Sequence, residues 1–197
     1  MSPSLADPSL DLIFRTARTR NGWVEEPLPE DLIRRIYDLA KFGPTSANMS
    51  PARFVWCVTA EGKAKLAGLA SGANAPKIRQ APATVIIGYD LDFPEHLPRL
   101  FPHAPDAKNW FGEPVMRELA AVRNSSLQGA YLIIAARALG LDCGPMSGFD
   151  NAAVDASFFK DTPHVRSNFI STLGYGDPST VRGRSPRPAF GKFNRID

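Results

Sequence analysis

Arginines gather in two distant parts of the chain, where they could bind one small anion together. One part is the segment Arg18-Thr19-Arg20-Asn21-Gly22-Trp23, and the other is a proline-rich tail that contains Arg184 and Arg187. A guanidinium donates two parallel hydrogen bonds to an oxyanion, which an ammonium group cannot do. The two segments predict an anion site; a solvated surface arginine and an ordinary charged tail are the alternative interpretations.

A third segment carries hydroxyl and amide groups in a setting that favours ligand binding. Thr45, Ser46 and Asn48 lie between Pro44 and Pro51. Side chains of these types also cap helices, but two flanking prolines favour a shaped ligand loop.

Asn74 and Lys77 form a fourth candidate group, just ahead of an apolar, strand-like run. An asparagine amide can both donate and accept hydrogen bonds at the polar edge of a ligand. A lysine beside that edge would stabilise negative charge on the ligand. An ordinary turn residue and an ordinary surface lysine are the alternatives.

Several common catalytic patterns are absent from the sequence. No GxGxxG or GxxxxGK[ST] motif occurs, so a nicotinamide cofactor would not be held by a Rossmann domain. No Gly-x-Ser-x-Gly elbow supports a serine triad. Cys57 and Cys143 lie in apolar surroundings without CxxC spacing, which predicts small buried thiols. His96, His103 and His164 lack metal-ligand spacing, so no metal site is predicted.

Hydrophobic patterning predicts the elements that must position these residues. Leu32, Ile33, Ile36 and Leu39 recur at helical spacing, whereas short continuous runs rich in β-branched residues are typical of central strands. The predicted helices cover residues 29–42 and 114–139, and the predicted strands cover residues 54–58, 83–88 and 169–173. The prolines of residues 178–197 predict an extended arm without helix or central strand.

The second half of the long helix is unusual. From Leu127 to Leu139 it is apolar almost all round, which predicts burial on every side. A chain of this size rarely needs so central a helix, so we expect burial between two subunits of a homodimer.

Length and composition set broader limits. The 197 residues, 44% hydrophobic and 22% charged, predict one α+β domain, residues 1–197, with residues 178–197 as its arm. Five basic residues and one acid lie in that arm, which suits a local anion and argues against nucleic acid as a partner. The N-terminus lacks signal-peptide features, and the apolar run 130–136 is too short to cross a membrane. We therefore expect a cytoplasmic protein.

The candidate segments, in chain order, resemble the motifs of the nitroreductase family of flavoproteins. Arg18–Trp23 is similar to the family's arginine-rich phosphate motif, and Gly43–Pro51 to its Ala-Pro-Ser-x-x-Asn-x-Gln-Pro loop. Asn74 with Lys77 resembles an Asn-x-x-Lys pair that lies against the flavin. Pro145–Asp150 resembles a Pro-x-x-Gly-Phe loop on the other flavin face.

Within this family, the sequence most resembles the malonic semialdehyde reductase branch, which serves pyrimidine degradation. The resemblance covers about residues 10–190. Its narrower motifs are Arg-Thr-x-Asn-Gly-Trp, Gly-Pro-Thr-Ser-Ala-Asn-x-Ser-Pro-Ala-Arg, Arg-Asn-Ser-Ser-x-Gln and Gly-Leu-Asp-x-Gly-Pro-Met-Ser-Gly-Phe-Asp.

The resemblance implies a nitroreductase-like α+β fold, with a central, mostly antiparallel sheet flanked by helices. It also implies a homodimer formed through the long helix, FMN at the dimer interface, and an arm that crosses to the partner subunit. NADPH or NADH would reduce the flavin and leave before the substrate enters. The residues implied to bind the cofactor are Arg18, Thr19, Arg20, Asn21, Thr45, Ser46, Asn48, Asn74, Lys77, Pro145, Met146, Ser147, Gly148, Arg184 and Arg187.

Two departures from the family pattern change these expectations. Ala17 and Asn21 stand where the family has arginines, so phosphate contacts are expected to move to Arg20 or Arg15. The segment Ser50-Pro51-Ala52 replaces Gln-Pro-Trp, which changes the pocket wall and argues against nitroaromatic reduction.

The branch implies malonic semialdehyde as substrate and 3-hydroxypropionate as product. A three-carbon anion offers little apolar area, so its charge must supply most of the affinity. Arg123, on the increasingly apolar helix, and Arg53, directly after the Ser50–Ala52 segment, are the candidate partners. A structural ion pair of Arg123 with Glu118, or with an acid of the other subunit, is the alternative. No catalytic acid or base is assigned.

Two other functions compete with this interpretation. The first is a general nitro-, quinone or flavin reductase of the same family. The second is a non-enzymatic protein that binds an anionic partner through its basic arm.

Overall fold

A four-stranded antiparallel sheet organises the computed structural model, which describes residues 3–197. Its strands are β1 (Ala52–Cys57), β2 (Ala83–Asp90), β3 (Asp142–Met146) and β4 (Val165–Gly174), in the spatial order β1-β2-β4-β3. The helices are α1 (Asp7–Leu10), α2 (Glu30–Ala40), α3 (Ala60–Gly68), α4 (Ala75–Gln80), α5 (Leu97–Leu100), α6 (Pro114–Ala138), α7 (Asn151–Phe158) and α8 (Phe190–Phe193).

Strand β2 is buried along its whole length because helices cover both faces of the sheet. Val85 and Ile87 point towards α2 and α6, where they pack with Ile36 and Leu132. Ile86 points to the opposite face and packs beneath α3, α4 and α7. The continuous apolar run of this strand therefore reflects burial on two sides.

A third apolar cluster lies beyond the sheet, against the first half of α6. Phe93, Leu97 and Ala107 of the segment between β2 and α6 are fully buried there, together with Met49 and Ala121. This cluster fixes the 93–111 segment over the end of the sheet.

Most sequence-predicted elements are confirmed. The helix predicted at 29–42 is α2, and the one predicted at 114–139 is α6; the three predicted strands correspond to β1, β2 and β4. Strand β3 was not predicted, because Gly144 and Pro145 interrupt the apolar pattern that identifies a strand.

Within a single chain, residues 127–139 are not buried on every side, and their expected burial between two subunits stays a prediction. Along one line of α6, Val115 is 71% exposed, Leu119 and Leu127 are each 45% exposed, and Tyr131 is 38% exposed. These residues recur every fourth position except at the exposed Arg123, so they form an apolar stripe that this one arginine interrupts. We call Val115, Leu119, Leu127 and Tyr131 the α6 stripe.

The C-terminal arm is mainly extended, but the prediction that it contains no helix is wrong for α8, a single turn at Phe190–Phe193, and for a short 3₁₀ turn at Pro178–Thr180. Pro188 is the last proline, so the residues after it are free to form a turn. Phe190, Phe193 and Ile196 are exposed. Crossing of the arm to a partner subunit stays a prediction.

Within residues 3–197, none of the helices is both long and apolar enough to span a bilayer.

Close packing of α6 on the sheet yields a stability prediction. A Cβ added at Gly129 would lie 2.4 Å from the Phe169 ring. Replacing Gly129 by alanine should lower the free energy of unfolding by about 1–2 kcal/mol, since overpacking outweighs the better helix propensity of alanine. Urea denaturation measures this change.

Gly68→Ala is the matched control, because nothing lies within 4 Å of a Cβ at that helical position. This variant should be neutral or more stable by up to about 1 kcal/mol. A Gly129→Ala variant as stable as Gly68→Ala would contradict the packing of Phe169 against α6.

Candidate functional site

An arginine-lined cavity of about 270 Å³ opens between the residues that follow α1, the end of α6 and the arm. None of the described residues that line it is acidic. We call it the arginine cavity; its charged lining residues are Arg18, Arg137, Arg182, Arg184 and Arg187. Such a donor set suits a phosphate or another oxyanion.

Backbone carbonyl groups hold several of these guanidinium groups in place. Arg18 donates to the carbonyl oxygen of Arg182. Arg184 Nη2 donates to the carbonyl oxygens of Arg15 at 2.7 Å and Ala17 at 3.1 Å. The arm residues are therefore fixed against the N-terminal segment of their own chain, and the positive charges are gathered without a carboxylate among them.

The Arg18–Trp23 segment lies beside β3. The Arg20 N–H donates to the carbonyl oxygen of Cys143 at 3.1 Å, and Thr19 forms a parallel bridge with Cys143. Thr19 and Asn21 line the arginine cavity as well as Arg18.

Arg20 has a different role from its neighbours. Its Nε lies 3.0 Å from Asp142 Oδ2 in an ion pair, although the N–H does not point at that oxygen in hydrogen-bond geometry. Its side chain also packs over Gly176, where an added Cβ would lie 2.4 Å from Arg20 Cγ. The structure thus places Arg20 in a contact between the segment and the sheet, outside the lining of the cavity.

The loop after β3 meets the start of α4. Asn74 Nδ2 donates to the carbonyl oxygen of Gly148 at 3.1 Å, and the Ser71 N–H donates to the same oxygen at 2.9 Å. A Cβ at Gly148 would lie 2.8 Å from Asn74 Nδ2, so only glycine permits this approach. The structure therefore brings the predicted Asn74 and Pro145–Gly148 together.

Lys77 lies one turn along α4 from Asn74 and is half-buried. Within the described chain its ammonium group forms no hydrogen bond or ion pair. Pro145, which is exposed, and Met146, which is half-buried, are the last residues of β3, and Ser147 is exposed on the loop that follows.

The predicted loop between α2 and β1 has an unusual backbone. Ala47, Asn48 and Ser50 have φ angles of 48°, 48° and 42°, in the left-handed region that residues other than glycine seldom occupy. We call Thr45–Ser50 the 45–50 loop. Such conformations cost about 1–3 kcal/mol each and persist only where surrounding contacts fix them.

Two buried amides of α6 and two side chains of the loop supply those contacts. The Ser46 N–H donates to Asn124 Oδ1 at 2.8 Å, and the Ala52 N–H donates to Gln128 Oε1 at 2.8 Å. Inside the loop, the Ser50 N–H donates to Thr45 Oγ1 at 3.1 Å, while Asn48 Nδ2 donates to the carbonyl oxygen of Leu100 at 2.8 Å.

Apart from Arg20, the predicted cofactor residues thus fall into three groups in one chain: the arginine cavity, the 45–50 loop, and Asn74 and Lys77 with the Pro145–Gly148 segment. The 45–50 loop is tied to α6, whereas Asn74 and the Pro145–Gly148 segment meet at α4. Because α4 and α6 cover opposite faces of the sheet, a single subunit does not bring the latter two groups together.

An apolar cavity of about 360 Å³ lies beside the 45–50 loop. Its lining includes Met49, Trp110, Leu119 and Leu127, and Arg123 is its one charged residue among the described residues. The Arg123 guanidinium is exposed and forms no ion pair or hydrogen bond with any of residues 3–197.

The alternative pairing of Arg123 with Glu118 is wrong. Glu118 instead accepts a hydrogen bond from the Tyr89 hydroxyl at 2.7 Å and lies 3.5 Å from Arg166. Burial of the phenol and its bond to Glu118 raise the pKa of Tyr89 to about 12. Glu118 is thereby engaged in joining α6 to β2 and β4.

Arg53, the other predicted substrate partner, is held by its own chain. It forms an ion pair with Asp90, whose carboxylate is buried. Its Nη1 donates to the carbonyl oxygens of Ala52 at 2.9 Å and Ser50 at 3.2 Å. These contacts leave Arg53 few donors for a ligand.

Comparison with known proteins supplies the family. The family model described as "Nitroreductase family" matches residues 19–175. A protein from Caulobacter sp. strain K31 is 61% identical over 188 residues, covering 95% of this chain and 96% of the relative. The chain belongs to the nitroreductase family. The Caulobacter relative carries the provisional name NADH dehydrogenase/NAD(P)H nitroreductase.

Solved structures confirm the nitroreductase-like fold. A nitroreductase from Exiguobacterium sibiricum, crystallised in complex with FMN, has a TM-score of 0.87, at 18% identity and with 100% of both chains covered. An NAD(P)H:FMN oxidoreductase from Staphylococcus epidermidis has a TM-score of 0.83, also at 18% identity, with 100% of this chain and 99% of that chain covered.

Sequence reasoning missed two arginines of the arginine cavity, Arg137 and Arg182. Arg137 donates to the carbonyl oxygen of Ile13 at 3.3 Å, and its Nε is buried without a hydrogen-bond partner in the described chain. Its position as the one charge in the apolar half of α6 was the available signal. For Arg182 the sequence carries no such signal, since nothing in it distinguishes this arginine from the other basic residues of the arm.

The two cysteines do not contribute nucleophiles. Both are buried, as predicted, and burial raises the pKa of the Cys57 thiol to about 11 and that of Cys143 to about 12. The reactive thiolate is therefore scarce at neutral pH.

Proposed function

We propose that this protein binds FMN and uses NADPH or NADH to reduce a small substrate. The observation that carries the proposal is the arginine cavity, which gathers five guanidinium groups without a lining carboxylate. Strand β3 connects this cavity to the Pro145–Gly148 loop, because Thr19 of the cavity bridges Cys143 in β3 and the loop begins at the end of the same strand. One elongated ligand with a phosphate at one end and a ring system at the other would suit this arrangement.

The residues present fit an FMN phosphate. A phosphate monoester carries about two negative charges at neutral pH, and forked guanidinium donors match its oxygens. Arg18, Arg137, Arg182, Arg184 and Arg187 would supply these donors, with Thr19 and Asn21 beside them. The buried Nε of Arg137 lacks a partner within the described chain, and a bound anion would compensate this charge.

Asn74 and Lys77 would hold the flavin ring. The Asn74 amide is oriented by Gly148, and its oxygen remains available to accept a hydrogen bond. The Lys77 ammonium would stabilise negative charge near the ring. Bound FMN supplies the hydride-transfer chemistry between nicotinamide and substrate, while the protein orients the reactants and sets the electrostatics.

We further propose a homodimer formed through α6. The α6 stripe exposes apolar side chains that a second subunit would cover. The 45–50 loop is hydrogen-bonded to the same helix. A second subunit that packs against α6 would therefore place its own 45–50 loop near the flavin bound by the first subunit. The exposed Phe190, Phe193 and Ile196 of the arm offer further apolar surface to that partner.

For the substrate we propose a small aldehyde with a carboxylate, malonic semialdehyde being the leading case. Its reduction consumes one NAD(P)H and one proton and yields 3-hydroxypropionate. Arg123 supports this choice, since among the described residues it is the one charged side chain that lines the mainly apolar cavity beside the 45–50 loop. A guanidinium without a protein partner can pair with a substrate carboxylate.

General nitro- or quinone reduction is the second candidate. The Caulobacter relative is named as an NAD(P)H nitroreductase, and the exposed Trp110 and Met116 of the apolar cavity would suit a flat substrate. Comparison of aldehyde, quinone and nitroaromatic substrates under steady-state conditions distinguishes the two candidates.

The flavin proposal predicts a yellow protein that releases FMN on denaturation. Arg18→Gln should weaken FMN binding about ten- to a hundredfold, because a charge-assisted hydrogen bond contributes about 1.5–3 kcal/mol. Fluorescence titration of the apoprotein with FMN measures the change, and chromatography identifies the chromophore.

Arg35→Gln is the control for this experiment, since Arg35 is an exposed arginine on α2 that lies outside the arginine cavity. A protein that stays colourless after reconstitution with FMN would refute the proposed function. A colourless protein that shifts nucleic acid in a gel would favour the non-enzymatic alternative.

The dimer proposal predicts that Leu127→Glu yields monomers. A carboxylate in the middle of the α6 stripe would have to be desolvated in the interface, and this cost exceeds the small gain from an i,i+4 contact with Arg123. Light scattering should give twice the chain mass for the wild type and for the control Val24→Glu, and one chain mass for Leu127→Glu. A monomeric wild type saturated with FMN would contradict the proposal.

The substrate proposal predicts that Arg123→Ala loses discrimination between malonic semialdehyde and propanal. The ratio of their kcat/KM values should fall by about a hundredfold, corresponding to about 2–3 kcal/mol. Arg53→Lys tests the other sequence-predicted partner while keeping a charge beside buried Asp90, and it should leave the ratio nearly unchanged. No preference for the acid aldehyde in the wild type would refute the substrate assignment.

A further inference from the structure

A second cationic cavity, of about 480 Å³, lies between the end of α2 and the start of the 93–111 segment. Lys41, Arg53, His96 and Arg99 line it, and none of its described lining residues is acidic. We call it the α2 cavity. It shares no residue with the arginine cavity.

The positive charges of the α2 cavity are unequally compensated. Arg53 is paired with buried Asp90, which also lies 3.6 Å from His96 Nε2. Lys41 pairs with Asp38 at 2.6 Å, but both side chains are exposed, so this pair contributes little. Arg99 is exposed and forms no ion pair or hydrogen bond among the described residues. Arg99, with Lys41 and His96 beside it, is thus able to bind an anion.

Aromatic surface adjoins these charges. Phe42 is 79% exposed and Tyr37 is 49% exposed, and both line the cavity. The Lys41 ammonium lies 5.8 Å from the centre of the Phe42 ring. Exposed aromatic rings next to cations suit a planar base joined to a phosphorylated sugar, because nucleobases stack on such rings.

The α2 cavity begins at the 45–50 loop, since Asn48 and Ser50 form part of its wall. Under the proposed function, on which this inference rests, that loop borders the place where the nicotinamide would stack on the flavin. The remaining part of a dinucleotide would then extend along this wall, and its size is compatible with a cavity of this volume.

We propose that the α2 cavity binds the adenine and the 2′-phosphate of NADPH and makes the protein prefer NADPH over NADH. Arg99 is the main phosphate ligand, Lys41 adds positive charge, His96 offers a ring N–H as a hydrogen-bond donor, and Phe42 with Tyr37 contacts the base. Arg53, held by Asp90, shapes the wall rather than binding the phosphate.

The test measures binding of adenosine 2′,5′-bisphosphate and adenosine 5′-monophosphate to the FMN-loaded protein by titration calorimetry. The bisphosphate should bind at least about tenfold more tightly, because it adds charge-assisted hydrogen bonds. Arg99→Gln should remove that advantage without changing the visible spectrum, and Arg99→Lys should restore part of it. Arg35→Gln, a matched exposed arginine on α2 outside the cavity, should behave like the wild type.

Kinetics supply a second readout. The ratio of kcat/KM for NADPH to that for NADH should fall about tenfold or more in Arg99→Gln, whereas Arg35→Gln should keep the wild-type ratio. Equal affinity for the two adenosine nucleotides, or an unchanged ratio in Arg99→Gln, overturns the inference. A protein that fails to bind FMN refutes the proposed function instead, and Arg99-dependent bisphosphate binding can still be measured on it.

Discussion

Two buried amide side chains of α6 fix the 45–50 loop, and the candidate site depends on the position of this loop. Asn124 and Gln128 lie one turn apart and accept hydrogen bonds from the backbone N–H groups of Ser46 and Ala52. Both side chains are buried. Losing Gln128 would leave the N–H of buried Ala52 without its partner, and losing Asn124 would release the Ser46 N–H at the edge of the loop. These bonds hold the 45–50 loop, with its three left-handed residues, on the helix that also carries the α6 stripe and Arg123.

The arginine cavity illustrates a second constraint, the gathering of like charges. Arg18 and Arg184 reach their positions by donating to backbone carbonyl oxygens, which carry only partial negative charge. Arg20, by contrast, is neutralised by Asp142 and serves to fix its segment beside β3. Of the two arginines of this segment, Arg18 lines the cavity, whereas Arg20, with a carboxylate within reach, fixes the segment to the sheet.

The candidate residues lie on both faces of the sheet, and this distribution is the reason for proposing a second subunit. The 45–50 loop and the Asn74–Gly148 contact belong to elements on opposite faces of the sheet. Both the exposed α6 stripe and the exposed end of the arm offer apolar surface. A homodimer would satisfy both observations at once, since it would cover this surface and complete the site.

The sequence by itself determined the long apolar segments and the order of the motifs. Its periodicity predicted α2, α6, β1, β2 and β4, because each is a continuous pattern of local residues. Its motifs led to the nitroreductase family and to three of the five arginines of the cavity, Arg18, Arg184 and Arg187.

Only the tertiary structure decided which of these residues meet. Strand β3 carries Gly144 and Pro145 and is identified by its pairing with β4, not by its pattern. Arg137 and Arg182 reach the cavity from a helix end and an arm that are distant in sequence. The pairing of Arg53 with Asp90 and of Glu118 with Tyr89 could not be predicted either. The physical reason is that an ion pair or a cavity depends on the relative placement of separate elements, which packing sets and local sequence does not.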